Sequence, residues 1–406
     1  MDEQEAITKA QALLNRPGDA NVSPLAVYRR AAKADSVQQR RPNVVLIMME
    51  SMSSKLMKHF GQSETLTPFL DSLYTRSISF RNFYSAGIHT NHGLYATLYS
   101  FPAMMKRNLM KGSVIPRYSG LPTVLKENGY YNLFFMTHEG QYDNMNAFFR
   151  TNGYDEVFSQ ENYPADKVVN SFGVQDDFLY DYAIPVLNQR AATGQPFFAT
   201  LLSISNHPPY VIPPFFHPKT SEPETQIVEY ADWALRQFFE EARKQPWFDN
   251  TIFVLEGDHG KLVGDAECEL PESYNHIPLM IYSSCIHPEE KNTFGGQVDI
   301  QPTILGLLNI DYLQNNFGVD LLKEERPCMF YTADNMIVGR NDTLLYLYNY
   351  ETQQEFTYHI DNGKLKAVPM DDRFLPLKEY SFSMLQSAEF LVKHGKTVNS
   401  VPFTQQ

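Results

Sequence analysis

Short apolar runs recur along the chain and are separated by longer amphipathic or polar stretches. Within each run the side chains are almost continuously apolar, which is typical of strands buried on both faces of a sheet. The runs predicted as strands are Asn43–Met49, Tyr131–Met136, Pro196–Ser203, Thr251–Leu255 and Leu279–Tyr282. We therefore expect a central sheet with little solvent on either side.

Stretches with apolar residues at helical spacing lie between these runs. The predicted helices are Thr67–Arg76, Leu121–Asn128, Ile227–Lys244 and Asp299–Leu308. Gly129 follows the second helix as a C-terminal cap, and Pro302 lies in the first turn of the last, where proline is tolerated. Strands that alternate with helices predict an α/β fold with a mostly parallel central sheet and helices on both faces.

The two ends of the chain have a different pattern. Two helices are predicted before the first strand, Glu3–Leu14 and Pro24–Lys33, so residues 1–41 form a helical lead-in. After residue 316 the runs Leu344–Tyr350, Glu355–Ile360 and Lys364–Val368 are typical of antiparallel strands, and a helix over Tyr380–His394 follows. Asp361-Asn-Gly363 is a hairpin turn between the last two strands. We predict a main domain over residues 42–315 and a small C-terminal α+β subdomain over residues 316–406.

Charge and cysteine content limit the partners and the compartment. The 406 residues carry a formal net charge of −13. Such a chain lacks the basic face that binds nucleic acid, so we expect no nucleic-acid partner. Three cysteines without CxxC spacing predict neither a zinc ribbon nor a disulfide framework. No apolar run reaches about 18 residues and residues 1–40 are polar, so we expect a soluble domain, with any membrane helices upstream of it.

Polar residues of metal-ligand type follow three of the predicted strands. Glu50 ends the first strand, Ser205-Asn-His207 follows the third, and Gly257-Asp-His-Gly260 follows the fourth. Because the carboxyl ends of parallel strands gather at one edge of an open sheet, these residues are predicted to meet there. This convergence favours a catalytic or binding site.

Each ligand type also has an ordinary structural explanation. Glu50 alone is equally well interpreted as a carboxylate that marks the strand end and caps the next helix. Asp258 and His259, flanked by glycines, could form a solvated turn. As ligands, a carboxylate beside an imidazole would suit Mn²⁺ or Zn²⁺ better than Ca²⁺, which prefers oxygen ligands.

Thr90 lies directly before a helical stretch through Ala96 and Leu98. A hydroxyl at a helix N-terminus is most often an N-cap. The same position offers free backbone N–H groups that suit a phosphate, and a neighbouring divalent ion would activate the hydroxyl as a nucleophile. Both interpretations stay open on this segment alone.

In their order along the chain, these motifs resemble the conserved blocks of the alkaline phosphatase/sulfatase superfamily. The similar segments are Asn43–Ser51, Thr67–Asp71, the Gly87/Thr90/Gly93 segment, Asp249–Gly260, His276–Tyr282 and Val298–Ile304. Within the superfamily the chain is most similar to the lipoteichoic acid synthase branch, whose members are phosphoglycerol transferases. The resemblance spans residues 43–308.

The resemblance implies a single metal, usually Mn²⁺, with Mg²⁺ or Zn²⁺ as alternatives, held by four residues: Glu50, Thr90, Asp258 and His259. Thr90 would form a covalent phosphoglycerol intermediate. His207 matches the branch's histidine that contacts the phosphoglycerol head group, and His138 matches a block near the same pocket.

The resemblance also implies a phospholipid or other phosphodiester substrate and an extracytoplasmic location. Membrane contact would be made through segments that this chain does not contain. Oligomeric state does not follow from these motifs.

One departure from the branch concerns substrate recognition. The branch carries Trp-Asn-Arg before a Gly-Tyr-Asp, and the arginine grips the substrate phosphate. Aligned on Gly153-Tyr-Asp155, this chain has Asp143, Asn144 and Met145 at those positions. Arg150 follows one helical turn later but is not assumed to substitute.

Three alternatives share this constellation. A sulfatase would need a Cys/Ser-x-Pro-x-Arg motif, which the segment after Thr90 lacks. A two-metal phosphodiesterase or phosphomonoesterase would need further ligands, for which the histidines His89, His92, His207 and His276 are candidates. A non-catalytic relative would only bind a polar head group or glycan.

Overall fold

The computed structural model describes residues 1–16, 19, 21–30 and 41–399, with only the backbone for Arg30. The helices of these residues are α1 (Glu3–Leu14), α2 (Pro68–Tyr74), α3 (Thr90–Tyr99), α4 (Leu121–Glu127), α5 (Met145–Thr151), α6 (Asp176–Ala191), α7 (Pro223–Ala242), α8 (Ile300–Leu307) and α9 (Leu375–Lys393).

The strands in the same part of the chain are β1 (Arg29–Arg30), β2 (Asn43–Met49), β3 (Ile78–Tyr84), β4 (Tyr131–Phe135), β5 (Glu156–Phe158), β6 (Val168–Asn170), β7 (Gly173–Val174), β8 (Phe197–Leu202), β9 (Thr251–Gly257), β10 (Leu279–Tyr282), β11 (Glu289–Gly296), β12 (Leu313–Gln314), β13 (Met329–Thr332), β14 (Met336–Arg340), β15 (Leu344–Asn349), β16 (Gln354–Asp361) and β17 (Lys364–Ala367).

The central sheet has eight strands in the order β11-β3-β10-β9-β2-β8-β4-β5. β10 runs antiparallel to both of its neighbours, and the other neighbouring pairs are parallel. Every residue of β2, β8 and β9 is buried. The predicted fold class, a mostly parallel sheet within an α/β fold, is confirmed.

Helices cover both faces because successive side chains of a strand point to opposite sides. In β2, Val44, Leu46 and Met48 join the buried cluster that includes residues of α3, α4 and α8. Val45 and Ile47 join the cluster on the other face, with residues of α2, α6 and α7. Because its side chains are buried in a hydrophobic core on each side of the sheet, β2 has no polar face. This explains its continuous apolar sequence.

The C-terminal residues form a second sheet in the order β13-β14-β15-β16-β17, with every pair antiparallel. Asn362 and Gly363 both have positive φ (47° and 73°) in the predicted turn between β16 and β17, as a type I′ hairpin requires. The predicted antiparallel sheet and closing helix are therefore confirmed. Side chains of this sheet, among them Val338 and Leu347, belong to the same buried cluster as α3 and α8. The proposed domain boundary at residue 315 stays a prediction.

The predicted helix over Pro24–Lys33 is wrong for residues 24–30, and residues 31–33 lie outside the described residues. Residues 24–26 form a turn, and β1 pairs antiparallel with β12. Arg29 is 1% exposed and its Nε donates a 3.1 Å hydrogen bond to Gln314 Oε1. The buried Arg29 side chain is satisfied by an acceptor on β12, which holds this segment beside β12 as a strand. The local sequence does not show that acceptor, because it lies far away along the chain.

Among the described helices, none combines the length and the apolar character needed to cross a membrane.

Candidate metal centre and active site

The parallel pairing of β2 with β9 brings the first two predicted ligands together. Met49 is the register partner of Gly257, so Glu50 and Asp258 are the next residues on adjacent strands at one edge of the sheet. The Asp258 amide donates to the Met49 carbonyl (3.0 Å), and the Ser51 amide donates to Asp258 Oδ1 (2.8 Å). These bonds hold two acidic side chains at a fixed separation.

His259 completes a group of three ligand-type side chains. One ligand atom from each of Glu50, Asp258 and His259 lies within 4.8 Å of the others. His259 Nε2 is 3.7 Å from Glu50 Oε1 and 3.6 Å from Asp258 Oδ2. Its Nδ1 donates to the Gly260 carbonyl (2.7 Å), which leaves Nε2 as the nitrogen that faces the carboxylates.

The two carboxylates are deeply buried, and hydrogen bonds stabilise their negative charges only in part. Glu50 is 2% and Asp258 0% exposed. Burial and the neighbouring Asp258 charge raise the pKa of Glu50 well above its ordinary value, although the Ser51 hydroxyl donates to Glu50 Oε1 (2.7 Å) and opposes the shift. Asp258 Oδ2 is buried and has no hydrogen-bond partner within the described residues.

An unpaired buried carboxylate oxygen is costly unless a cation or donor satisfies it. Two carboxylates, one imidazole nitrogen and a hydroxyl form a donor set that suits Mn²⁺ or Zn²⁺. The residues present therefore fit the metal that the sequence resemblance implies.

Thr90 lies beside this acidic group, at the start of α3. Its Oγ1 donates a long hydrogen bond (3.4 Å) to Glu50 Oε2. The side chain of His89, the residue before the helix, does not cap the first amides of α3. Thr90 is the first residue of the helix, so it lies at the positive end of the helix dipole, where a phosphate group is favoured.

Gln297 fixes α3 against the end of β9. Its Nε2 donates to the carbonyls of Gly257 (3.1 Å) and Asp258 (2.7 Å), and its Oε1 accepts from the Ala86 amide (2.8 Å). The residue is buried and joins the segment before Thr90 to the segment that carries Asp258. Gln297 was not predicted as a site residue from the sequence, although it directly precedes the family-like segment Val298–Ile304.

The end of β8 supports Glu50 from the other side. Ser203 Oγ accepts from the Glu50 amide (3.1 Å), and Asn206 Nδ2 donates to the carbonyls of Glu50 (3.1 Å) and Ser51 (3.2 Å). The three predicted strand ends thus meet at one edge of the sheet. Asn206 lies in the predicted segment Ser205–His207. The sequence does not show, however, that its side chain binds the backbone of Glu50 and Ser51.

His207 and His138 lie along one aromatic wall. The His207 ring is 4.0 Å from the Phe172 ring, between centroids, and the His138 ring is 4.6 Å from that of Tyr142. Tyr142 and Phe172 contact each other with their centroids 6.4 Å apart. His207 is partly exposed, whereas His138 is buried and burial lowers the pKa of its imidazole.

Met145, at the position where the lipoteichoic acid synthase branch has its phosphate-binding arginine, lies inside the core. Met145 is 0% exposed and packs within the hydrophobic cluster. The Arg150 side chain donates to Asn146 Oδ1 (2.8 Å) and to the Val157 carbonyl (3.3 Å), so its guanidinium is already engaged by its own helix and β5. These contacts give no reason to assign Arg150 the role that the arginine has in the lipoteichoic acid synthase branch.

Lys261 brings a cation next to the site. Its Nζ donates to Asn206 Oδ1 (2.7 Å) and lies 5.1 Å from the centre of the Tyr210 ring. Burial lowers the pKa of Lys261 to about 8, against the charges of Glu224 and Glu50, which raise it. Lys261 was not predicted as a site residue from the sequence, although it directly follows Gly260.

The remaining candidate histidines do not assemble a second metal site. His92 is buried and burial lowers its pKa to about 3, and His276 Nε2 donates to the Arg81 carbonyl (2.7 Å). His89 Nε2 pairs with Asp334 Oδ1 (2.7 Å). Across the described ranges, Glu50, Asp258 and His259 are the one cluster of three acidic, histidine or cysteine side chains with metal-ligand spacing.

Comparison with known proteins agrees with the fold and the ordered motifs. The sequence model of the family described as Sulfatase matches residues 42–310. The chain belongs to the sulfatase family, whose members are enzymes.

Within that family the chain is similar to lipoteichoic acid synthases. It is 26% identical to lipoteichoic acid synthase 1 of Bacillus subtilis (strain 168) over 354 residues, which cover 80% of this chain and 54% of the relative. It is 25% identical to lipoteichoic acid synthase 2 of the same organism over 315 residues, which cover 70% of this chain and 47% of the relative. The chain spans about half the length of these curated relatives.

Solved structures share the fold. A protein in the alkaline phosphatase superfamily from Vibrio parahaemolyticus is 25% identical with a TM-score of 0.86, and 98% of each chain is covered. The lipoteichoic acid synthase LtaP from Listeria monocytogenes is 22% identical with a TM-score of 0.75, over 90% of this chain and 94% of that chain. The resemblance stated from the sequence is confirmed.

Proposed function

We propose that this chain is a metal-dependent phosphotransferase that moves a phosphoglycerol-type head group from a phospholipid to an acceptor hydroxyl through Thr90. The observation that carries the proposal is the convergence of the Thr90 hydroxyl with Glu50, Asp258 and His259. The similarity to lipoteichoic acid synthases supports the transferase chemistry. The four residues would hold one divalent cation, with Mn²⁺ as the first candidate and Mg²⁺ or Zn²⁺ as alternatives.

Thr90 is the proposed nucleophile. A bound divalent cation would lower the pKa of the hydroxyl and stabilise negative charge on the phosphoryl oxygens. In the first half-reaction, Thr90 Oγ1 forms a bond to phosphorus as the bond from phosphorus to the lipid alcohol oxygen breaks. The Thr90 proton passes to solvent, and the departing alkoxide takes a proton from a protonated His207. The amides at the start of α3 donate toward the phosphoryl oxygens.

The second half-reaction returns the enzyme to its starting state. The acceptor hydroxyl gives its proton to His207 and attacks phosphorus, and the bond between phosphorus and Thr90 Oγ1 breaks. Thr90 then recovers a proton from solvent. His207 Nδ1 lies 2.7 Å from the Pro208 carbonyl and donates to it, so Nε2 is the atom free to carry these protons. His207 would also contact the head group, together with His138 on the same aromatic wall.

From the similarity to lipoteichoic acid synthases, the reaction is proposed to take place outside the cytoplasm, at a membrane surface. Because this chain spans about half of its lipoteichoic acid synthase relatives, membrane contact is proposed to come from segments that it does not contain.

The proposal is tested by trapping the covalent intermediate. The chain is loaded with Mn²⁺, incubated with vesicles of single phospholipids, and analysed by peptide mass spectrometry. We expect a phosphoglycerol adduct on Thr90 with phosphatidylglycerol, and none in Thr90→Ala or after removal of the metal with EDTA. Adduct formation in Thr90→Ala, or no adduct with any phosphodiester, would contradict the proposal.

Hydrolysis is the second outcome that the same intermediate allows, because water can take the place of the acceptor. The His259 side chain is largely buried but 13% exposed, so the edge of the acidic group reaches solvent. Release of free glycerol phosphate with ¹⁸O from labelled water would identify a phosphodiesterase. Sulfatase activity is disfavoured despite the family membership, because Thr90 replaces the cysteine or serine that the formylglycine motif requires.

A further inference from the structure

We propose that Lys261 binds an anionic oxygen of the substrate phosphate and so supplies the positive charge that the buried Met145 does not. This inference rests on the proposed function, since it concerns the phosphate that Thr90 attacks. The observation that supports it is the position of the Lys261 ammonium group, which is half-buried beside the candidate metal centre. It forms no salt bridge with a carboxylate among the described residues.

The backbone that carries Lys261 is fixed next to the predicted ligands. Gly260 packs so closely that a Cβ atom on it would lie 2.0 Å from the Ser273 carbonyl oxygen. The Gly260 amide also donates to the Tyr274 carbonyl (2.8 Å). Because this turn cannot shift easily, Lys261 keeps a constant position relative to His259.

The side chain of Lys261 turns back toward Glu50. Its Nζ donates to Asn206 Oδ1, and the amide nitrogen of the same Asn206 donates to the Glu50 carbonyl. One asparagine therefore separates the ammonium group from the backbone of a predicted metal ligand. On this inference, a phosphate held between Thr90 and the metal lies within reach of the ammonium group.

The contacts of the ammonium group are neutral. They are the Asn206 side-chain oxygen (2.7 Å), the Glu224 backbone carbonyl (3.5 Å) and the Tyr210 ring. Among the described residues, no carboxylate oxygen lies within 4.0 Å of Lys261 Nζ to form a salt bridge. The charges of Glu224 and Glu50 therefore act on Lys261 only from beyond salt-bridge distance. An anionic ligand in direct contact would stabilise this partly desolvated cation further.

Other nearby cations are already neutralised or directed elsewhere. Lys111 Nζ pairs with Asp143 Oδ1 (2.7 Å), and its side chain is 58% exposed. Arg150 is engaged by Asn146 and by backbone carbonyls. Lys261 is thus the better placed of these groups, and Lys111 provides a matched control.

The experiment compares Lys261→Met, Lys261→Arg and Lys111→Met in the Mn²⁺-loaded chain. Calorimetry measures the Kd for inorganic phosphate and, separately, the Kd for Mn²⁺, and kinetics with phosphatidylglycerol vesicles give kcat and KM. We expect Lys261→Met to weaken phosphate binding and raise KM by about 10- to 100-fold, the effect of losing a charge-assisted hydrogen bond. Lys261→Arg should stay within a few-fold of the unmodified chain, and Lys111→Met should leave both constants unchanged.

Two outcomes would overturn the inference. One is an unchanged phosphate Kd in Lys261→Met. The other is a loss of Mn²⁺ affinity that accounts for the weaker phosphate binding, which would show that Lys261 only braces Asn206 and Glu50. Phosphate binding needs no turnover, so weaker phosphate binding in Lys261→Met together with no Thr90 adduct would support Lys261 while refuting the proposed function.

Discussion

Gly93 of α3 packs directly against the backbone of Asp258, so closely that a Cβ atom at position 93 would lie 2.3 Å from the Asp258 carbonyl oxygen. The same carbonyl accepts a hydrogen bond from Gln297 Nε2 (2.7 Å). The helix that begins at Thr90 is therefore seated on the strand end that carries two predicted metal ligands. The absence of a side chain at position 93 sets the distance between the proposed nucleophile and the metal centre.

Gly93→Ala is predicted to move Thr90, the proposed nucleophile, away from the metal centre. The added methyl group meets a backbone oxygen that cannot rotate away, so α3 must shift. A displacement near 1 Å lowers turnover by about 100-fold, and overpacking lowers the free energy of unfolding by about 1–3 kcal/mol. Steady-state kinetics and urea unfolding would measure the two effects.

Gly120→Ala is the matched control for this substitution. Its Cβ would meet the Leu98 carbonyl oxygen at 2.3 Å, near the far end of the same helix. We expect a similar loss of stability but a much smaller loss of turnover. Equal losses of turnover in the two variants would argue against a specific role for the contact between Gly93 and Asp258.

The sequence predicted the central strands well because their burial on two faces leaves a continuous apolar pattern. β2 and β10 have the predicted bounds. β3 was missed because exposed Arg81 interrupts its apolar residues, and β11 was missed because its first residues, such as Glu289, are polar. α6 was missed as well, because Pro185 lies in its interior. These elements are stabilised by neighbours that are distant in sequence.

The candidate site, like the fold, has residues that the sequence could predict and residues that it could not. Residues at strand ends, such as Glu50 and Asp258, could be predicted to meet because strand order and direction alone bring them together. The roles of Ser203, Asn206 and Gln297 depend on which backbone groups they reach across the fold. No periodicity or spacing encodes those partners, so the supporting polar network had to come from the structure.

Metal binding is predicted to stabilise the fold through the buried carboxylates. At a free Mn²⁺ concentration 100 times Kd, the free energy of unfolding should rise by about 2.7 kcal/mol, and EDTA should reverse the gain. Asp258→Asn should lose most of this gain because it removes a charged ligand. Glu256→Gln is the control, since Glu256 is equally buried two residues earlier but lies outside the group formed by Glu50, Asp258 and His259. A metal-dependent gain that persists in Asp258→Asn would contradict the predicted ligand set.

Mn²⁺ affinity is predicted to rise with pH. Burial and the charge of Asp258 raise the pKa of Glu50, so the metal-free site keeps its proton to a higher pH than an ordinary glutamate does, and the cation competes with that proton. Lowering the pH favours the protonated site and weakens binding, and raising the pH has the opposite effect. Calorimetry in two buffers with different ionisation enthalpies would detect the released proton. A binding heat independent of the buffer would contradict this prediction.

The stability of the contact between the central sheet and the C-terminal sheet is predicted to depend on Glu272. Its Oε1 accepts from Tyr84 Oη (3.2 Å), near the end of β3, and from Arg340 Nη1 on β14. Burial alone would raise the pKa of Glu272, but the charge of Arg340 and its hydrogen bond outweigh burial and lower that pKa from 4.5 to about 2. A carboxyl group whose pKa is lowered by folding stabilises the fold above its unfolded pKa.

Glu272→Gln should therefore lower the free energy of unfolding by about 2 kcal/mol at pH 7, after allowance for the partial exposure of the carboxylate. The difference from the unmodified chain should persist down to pH 4.5 and shrink as the pH falls toward 2, where Glu272 becomes protonated in the folded state too. Urea unfolding across this range would measure it. Asp371→Asn is the control, because Asp371 pairs with Arg373 on the exposed surface and its loss should change little. A stability difference for Glu272→Gln that is independent of pH would show that the contact acts through packing rather than through charge.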